Sequence, residues 1–230
     1  AATFLFSSLE SCATGMCFIL FYLSLLRSYQ DKRAPGIAFY SFACLGIASL
    51  FFVQILYFVP FLWILMASNM MALTHRMFWA TVLGLVMPYW FAVGYYVVTN
   101  QFDAFIDHFA ELAQFEPLLQ YEALDIHRIA TFGLVVLLAV IGIIHYMRNS
   151  YQDKIRTRMI FEMFITVDIL SFVFIILQPQ HFDNLLPIII VNTSCLFAHY
   201  VALTRTWLTN VTFIVMCLAT LGLTIFNLMP

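Results

Sequence analysis

Charge is what this chain has least of. Asp, Glu, Lys and Arg make up only 10% of its 230 residues, while 63% are hydrophobic. Soluble domains are nearer a quarter charged and half apolar. A water-surrounded globule of this size cannot hide so much apolar side chain, so much of it faces something other than water. The 10 basic and 12 acidic residues net −2, which excludes a nucleic-acid partner, since that needs a basic patch. An ordinary soluble enzyme and a disordered chain are excluded by the same composition. The five cysteines, Cys12, Cys17, Cys44, Cys195 and Cys217, sit in apolar runs without a CxxC pair and read as small buried hydrophobes. No HExxH, phosphate-binding loop, GxGxxG or paired DxxxD is present, so no motif calls for a cofactor or points to a known reaction. Both lysines, Lys32 and Lys154, lie in polar connections, which excludes a Schiff-base lysine inside an apolar run.

What is present is a series of long apolar segments with a mean hydropathy of +0.95. The expected fold is all-α: a single multi-pass transmembrane bundle over residues 1–230 with about eight spans. The spans are read at residues 4–26, 37–57, 61–73, 77–98, 129–147, 159–177, 185–204 and 207–228. Pro60 marks a tight turn between the second and third, and the third is short enough that a re-entrant segment is the alternative. Residues 99–128 form the one long connection and hold six of the 12 acids. In it Phe102, Phe105, Ile106, Phe109, Leu112 and Ala113 share one helical face, and Asp103, Asp107 and Glu111 another, until Pro117 stops the pattern. That is an amphipathic helix at the membrane surface or capping the bundle. The opening segment has no basic region before its apolar core, so it reads as a span rather than a signal peptide.

Charge orients the bundle. With loop 27–36 in the cytoplasm and every span crossing once, Arg27, Lys32, Arg33, Arg76, Arg148, Lys154, Arg156, Arg158 and Arg205 fall inside and only Arg128 outside. Loops 27–36, 74–76, 148–158 and 205–206 are then cytoplasmic, the positive-inside pattern. Both termini fall outside, which leads us to expect a further span upstream of residue 1, an Ala rather than a Met.

The few polar residues inside spans are the functional candidates. Asp168 lies near the middle of the sixth span, where a lone carboxylate is costly and must face the bundle with a partner. Asn192 and His199 are seven apart on one face of the seventh span, and Asn192 is a candidate partner for Asp168. These three fit either a proton or cation site or polar glue between helices. Glu162, four residues beyond Arg158, reads as a boundary ion pair. Glu10, near the outer end of the first span, is the weak catalytic candidate, in the position of a base acting on a lipid-linked substrate. Asp125, His127, His181 and Asp183 lie at the ends of outer loops and could supply N and O ligands to a metal, although ordinary surface polarity explains them as well.

One stretch carries a resemblance. Residues 46–96, "GIASLFFVQILYFVPFLWILMASNMMALTHRMFWATVLGLVMPYWFAVGYY", resemble an uncharacterised family of polytopic inner-membrane proteins of Bacteroidota, at 48–51, 60–65, Arg76 with Trp79, and 84–91. The segment from "DKIRTRMIFEMF" through "AHYVALTRTWL" is similar to that family's closing spans. The family's Tyr-Pro-Pro is replaced here by Phe52, Val53 and Gln54. The resemblance implies a fold, a compartment and one more span at the start, but no mechanism.

The leading expectation is a non-enzymatic structural or accessory component of an envelope membrane complex, in contact with lipids and other membrane subunits. The alternatives are a proton-coupled small-molecule transporter built on Asp168, Asn192 and His199, and a membrane enzyme acting on a lipid-linked substrate at the outer face with Glu10 and the acidic loop 99–128. Orientation is directly testable. Single cysteines placed by Gln30→Cys and Gln152→Cys should resist a membrane-impermeant thiol reagent in intact cells, and Gln101→Cys should react. Equal labelling of all three would break the topology.

Overall fold

The computed structural model describes residues 9–113, 125–203 and 207–228. The described residues are all helical or irregular, without strands. They group into two compact units, one within Glu10–Leu118 and one within Leu119–Pro230. Six helical segments are long and apolar enough to cross a membrane: Leu9–Ser28, His75–Val98, Ile126–Gln152, Ile155–Leu177, Pro179–Leu203 and Thr209–Asn227. The apolar segments Pro35–Phe51 and Val53–Ser68 are shorter.

The first unit holds α1 (Leu9–Leu25), α2 (Pro35–Phe51), α3 (Val59–Ser68), α4 (His75–Val98) and α5 (Phe102–Ala113). Pro35 stands in the first turn of α2, where its missing N–H costs nothing. Thr74 caps α4, its hydroxyl accepting the Met77 N–H at 3.2 Å. Two expected boundaries move. The second span ends at Phe51 rather than 57, because Phe52 turns extended and a 3-10 segment, Val53–Phe58, follows. Pro60 does not make a turn; it occupies the first turn of α3, the position helices tolerate, so α3 starts earlier and ends at Ser68.

Helices α2 and α4 pack most intimately, and two glycines are the reason. A Cβ on Gly46 would lie 2.6 Å from the Leu85 carbonyl and 3.0 Å from the Pro88 ring, and one on Gly84 would overlap the Phe39 carbonyl. Residue numbers rise together along the contact, so α2 and α4 run parallel. The chain between them must therefore return the length of the pair, and Val53–Ser68 does so. Trp63 on α3 donates to Thr81 of α4 at 3.0 Å, and at the end where both helices begin the Gln30 N–H donates to the Met70 carbonyl at 3.0 Å. Helix α1 lies against α2 through aromatic contact, with Phe21 and Phe42 edge-on at 5.7 Å. Pro88 stays inside a continuous α4 and packs on the Gly46 surface instead of opening the helix.

Helix α5 docks across the far ends of α2 and α4. His108 donates to the Ser49 carbonyl at 2.9 Å, Tyr57 donates to the Leu112 carbonyl, and Phe109 packs on Tyr89 at 5.1 Å. Tyr89 in turn donates to Ser49 Oγ at 2.7 Å. The docked face is therefore Phe105, His108, Phe109 and Leu112, whereas Phe102 and Ile106, expected on that same face, stay exposed.

The second unit holds α6 (Ile126–Asn149), α7 (Ile155–Leu177), α8 (Phe182–Leu203) and α9 (Trp207–Leu228). Its wiring has the same logic. Helix α8 packs on both α6 and α7. A Cβ on Gly142 of α6 would meet Leu196 of α8 at 3.0 Å. Tyr146 of α6 donates to the Arg158 carbonyl of α7 at 3.0 Å, and Phe132 contacts both Phe172 and Phe182 near the other end. Near the last turn of α9 the His127 ring donates to Asn227 Oδ1 at 3.1 Å and Asn227 Nδ2 donates to Thr131 Oγ1 at 3.2 Å.

Adding a methyl group where backbones touch forces the helices apart, at a cost of about 1–3 kcal/mol. Gly84→Ala should therefore lower the thermal midpoint of the purified protein. Gly94→Ala, on the same helix with nothing within 4 Å of the added carbon, should leave it unchanged or raise it. Equal midpoints for the two variants would remove the glycine interlock.

Candidate functional site

The buried carboxylate of Asp168 is the centre of the site. Asp168 lies in mid-α7 and is 0% exposed. Its partner is Thr193 on α8, whose hydroxyl reaches Oδ2 at 3.1 Å and Oδ1 at 3.4 Å. Among the described residues no Lys, Arg or His pairs with it. The partner expected from the sequence, Asn192, points elsewhere, because one residue is about 100° of turn on a helix with 3.6 residues per turn. Asn192 is also 0% exposed, and neither its Nδ2 nor its Oδ1 has a hydrogen-bond partner among the described residues.

Thr193 also lines an apolar cleft. It is about 420 Å³, between α6, α8 and α9, walled by Val135 and Leu138, by Phe197 and Val201, and by Phe213. Ser194, Ala198 and Ala202 follow one another at four-residue spacing along its α8 side and are exposed. These small side chains leave the space open. Thr193 thus stands between the cleft and Asp168.

His199 belongs to a different cluster. Its Nε2 donates to Asp153 at 3.0 Å, with both side chains largely buried (6% and 12% exposed). Its ring lies 4.4 Å from Phe161 and 6.0 Å from that of His145. The contact ties the connection between α6 and α7 to the end of α8. Asp153 and His145 were missed as site residues: one lies in a charged loop and the other near a span end, and nothing local to either announces the pairing. Glu162 is half-buried about two turns into α7, its backbone carbonyl accepting from the Thr166 hydroxyl at 2.8 Å.

The loop-end candidates have other engagements. Arg128 bridges Asp183 at 2.8 Å and approaches Asp125 at 4.0 Å. His127 is committed to Asn227, and His181 lies against Phe174 at 5.9 Å. Among the described residues no three His, Cys, Asp or Glu side chains gather as a metal site. The four therefore do not converge as ligands, because Arg128 draws the two carboxylates to itself. Glu10 is exposed in the first turn of α1.

An unpartnered buried amide costs about 1–3 kcal/mol. Asn192→Leu should accordingly stabilise the purified protein, while Thr193→Val, which strips Asp168 of its donor, should destabilise it by a similar amount. A destabilised Asn192→Leu would show that the amide is bonded after all. In comparisons with protein-family models, curated proteins and solved structures, nothing matches this chain, so its site is read from its own chemistry.

Proposed function

We propose that this protein is a non-enzymatic integral component of a bacterial inner membrane that serves as a helix-packing subunit of a membrane complex. The chain crosses the bilayer eight times in this reading, with Pro35–Phe51 and Val53–Ser68 as the two shorter crossings. The basic loops lie in the cytoplasm, and α5 rests on the outer surface, where the exposed Phe102 and Ile106 dip into the interface. Membership of the Bacteroidota family suggested by residues 46–96 accords with this.

One observation carries the packing role. Helices α6 and α9 form a shallow groove of about 490 Å³, floored by Ala130, Gly133, Ala219 and Gly222. A Cβ on Gly133 or Gly222 would meet nothing within 4 Å. Lipid supplies no hydrophobic force between helices, so association depends on close van der Waals contact, and small residues at an open surface permit it. Leu134 and Leu137 of α6 and Leu223 and Phe226 of α9 line the groove beside that strip. A partner helix laid in the groove touches backbone where lipid chains would meet a shallow, irregular surface.

The two other readings have less behind them. A proton-coupled carrier needs Asp168, Asn192 and His199 to act together, yet Asp168 is held by Thr193, His199 by Asp153, and Asn192 by neither. An enzyme at the outer face would rest on Glu10 and the acids of residues 99–128, and Glu10, Asp103, Asp107 and Glu111 are all exposed side chains.

Gly133→Leu and Gly222→Leu fill the groove without touching the unit's own packing. Each should leave the thermal midpoint unchanged and reduce the mass of the particle extracted from native membranes in mild detergent to that of one chain. A wild-type protein that already runs as a single chain, or variants that stay in the large particle, would overturn the proposal.

A further inference from the structure

The cleft beside Thr193 has the size and lining of a ligand site rather than of a packing defect. At about 420 Å³ it falls within the range of roughly 300–1,000 Å³ that small-molecule sites occupy, and such sites are mostly apolar with few polar groups. It follows α8 from Ile190 to Ala202, about 18 Å at about 1.5 Å per residue. Its polar groups have one character. Thr193 gives its proton to Asp168, and Ser194 gives its own to the Ile190 carbonyl at 2.5 Å. What either oxygen still offers is lone pairs. The wall can accept a hydrogen bond and has no free side-chain donor to give.

We infer that the cleft binds a neutral, bilayer-dissolved alcohol: an apolar body along α8 with one hydroxyl donating to Thr193 or Ser194. An acyl chain of an ordinary phospholipid has no donor for this wall, and its charged headgroup cannot follow it to mid-helix depth. A quinone carries only acceptors and faces two oxygens of its own kind. A hydroxyl in hydrocarbon, by contrast, has no other partner, so two acceptors at this depth select it. Two neutral lipid classes carry that chemistry, a diacylglycerol and a long-chain isoprenoid alcohol.

The test uses the full chain in nanodiscs, with diazirine-bearing forms of both lipids and the methyl ether of each. The free alcohols should label the tryptic peptide containing α8 about fivefold more than the ethers, the worth of one hydrogen bond. Labelling by one alcohol or by both supports the site and names its source. Ala198→Phe, which fills the cleft from an exposed position, should abolish labelling at an unchanged thermal midpoint. Thr193→Val combined with Ser194→Ala should erase the alcohol-over-ether preference, and Thr193→Ser should keep it; if the double variant does not fold, Ala198→Phe still decides. Equal labelling by alcohol and ether, or labelling that survives Ala198→Phe, would overturn the inference. The particle-mass experiment on Gly133 and Gly222 is independent of either result.

Discussion

Backbone contact between parallel helices is the constraint on which each unit depends. Helix association in hydrocarbon gains little from removing apolar surface from solvent, because lipid tails are as apolar as Leu. What remains is dispersion between closely fitted atoms, and it rises steeply as two helix axes approach. Gly46 and Gly84 allow that approach between α2 and α4, and Gly142 allows it between α6 and α8. Each pair runs parallel, so each requires a returning segment: Val53–Ser68 in the first unit and α7 in the second. Three glycines thus mark the closest helix contacts of the two units.

Once those pairs are set, the polar groups have little choice of partner. The Asp168 carboxylate faces α8 because α7 is the helix that must return beside it, and Thr193 is the residue presented at that height and angle. Ser49, Tyr89 and His108 form the equivalent polar seam in the first unit, fastening α5 to the ends of the parallel pair. Polar contacts of this kind are worth modest amounts in membranes, since the unfolded chain also finds partners there. They choose rotation and register more than they supply stability.

The two surface features of the second unit differ in what made them. The α6–α9 groove exists because small residues on two helices face one another across a gap neither fills. The cleft beside Thr193 exists because Ser194, Ala198 and Ala202 repeat every four residues along one face of α8. Small residues therefore have two opposite roles here. Buried at Gly46, Gly84 and Gly142 they bring helices together; exposed on α6, α8 and α9 they leave room for something else.

The amino-acid sequence by itself determined that the chain is helical and apolar, where most helices lie, and how the basic residues are distributed, because hydropathy, helical period and charge are properties of neighbouring residues. It also marked Asp168 as a group in need of a partner, since the cost of a carboxylate in hydrocarbon does not depend on what surrounds it in space. The tertiary structure alone decided that the partner is Thr193 rather than Asn192, that His199 turns to Asp153, and that Arg128 gathers Asp125 and Asp183. It alone decided too that Pro60 begins a helix instead of a turn. Each of these outcomes hangs on helix rotation and on which helices run parallel. A step of one residue turns a side chain by about 100°, and no local pattern records which face a distant helix will cover.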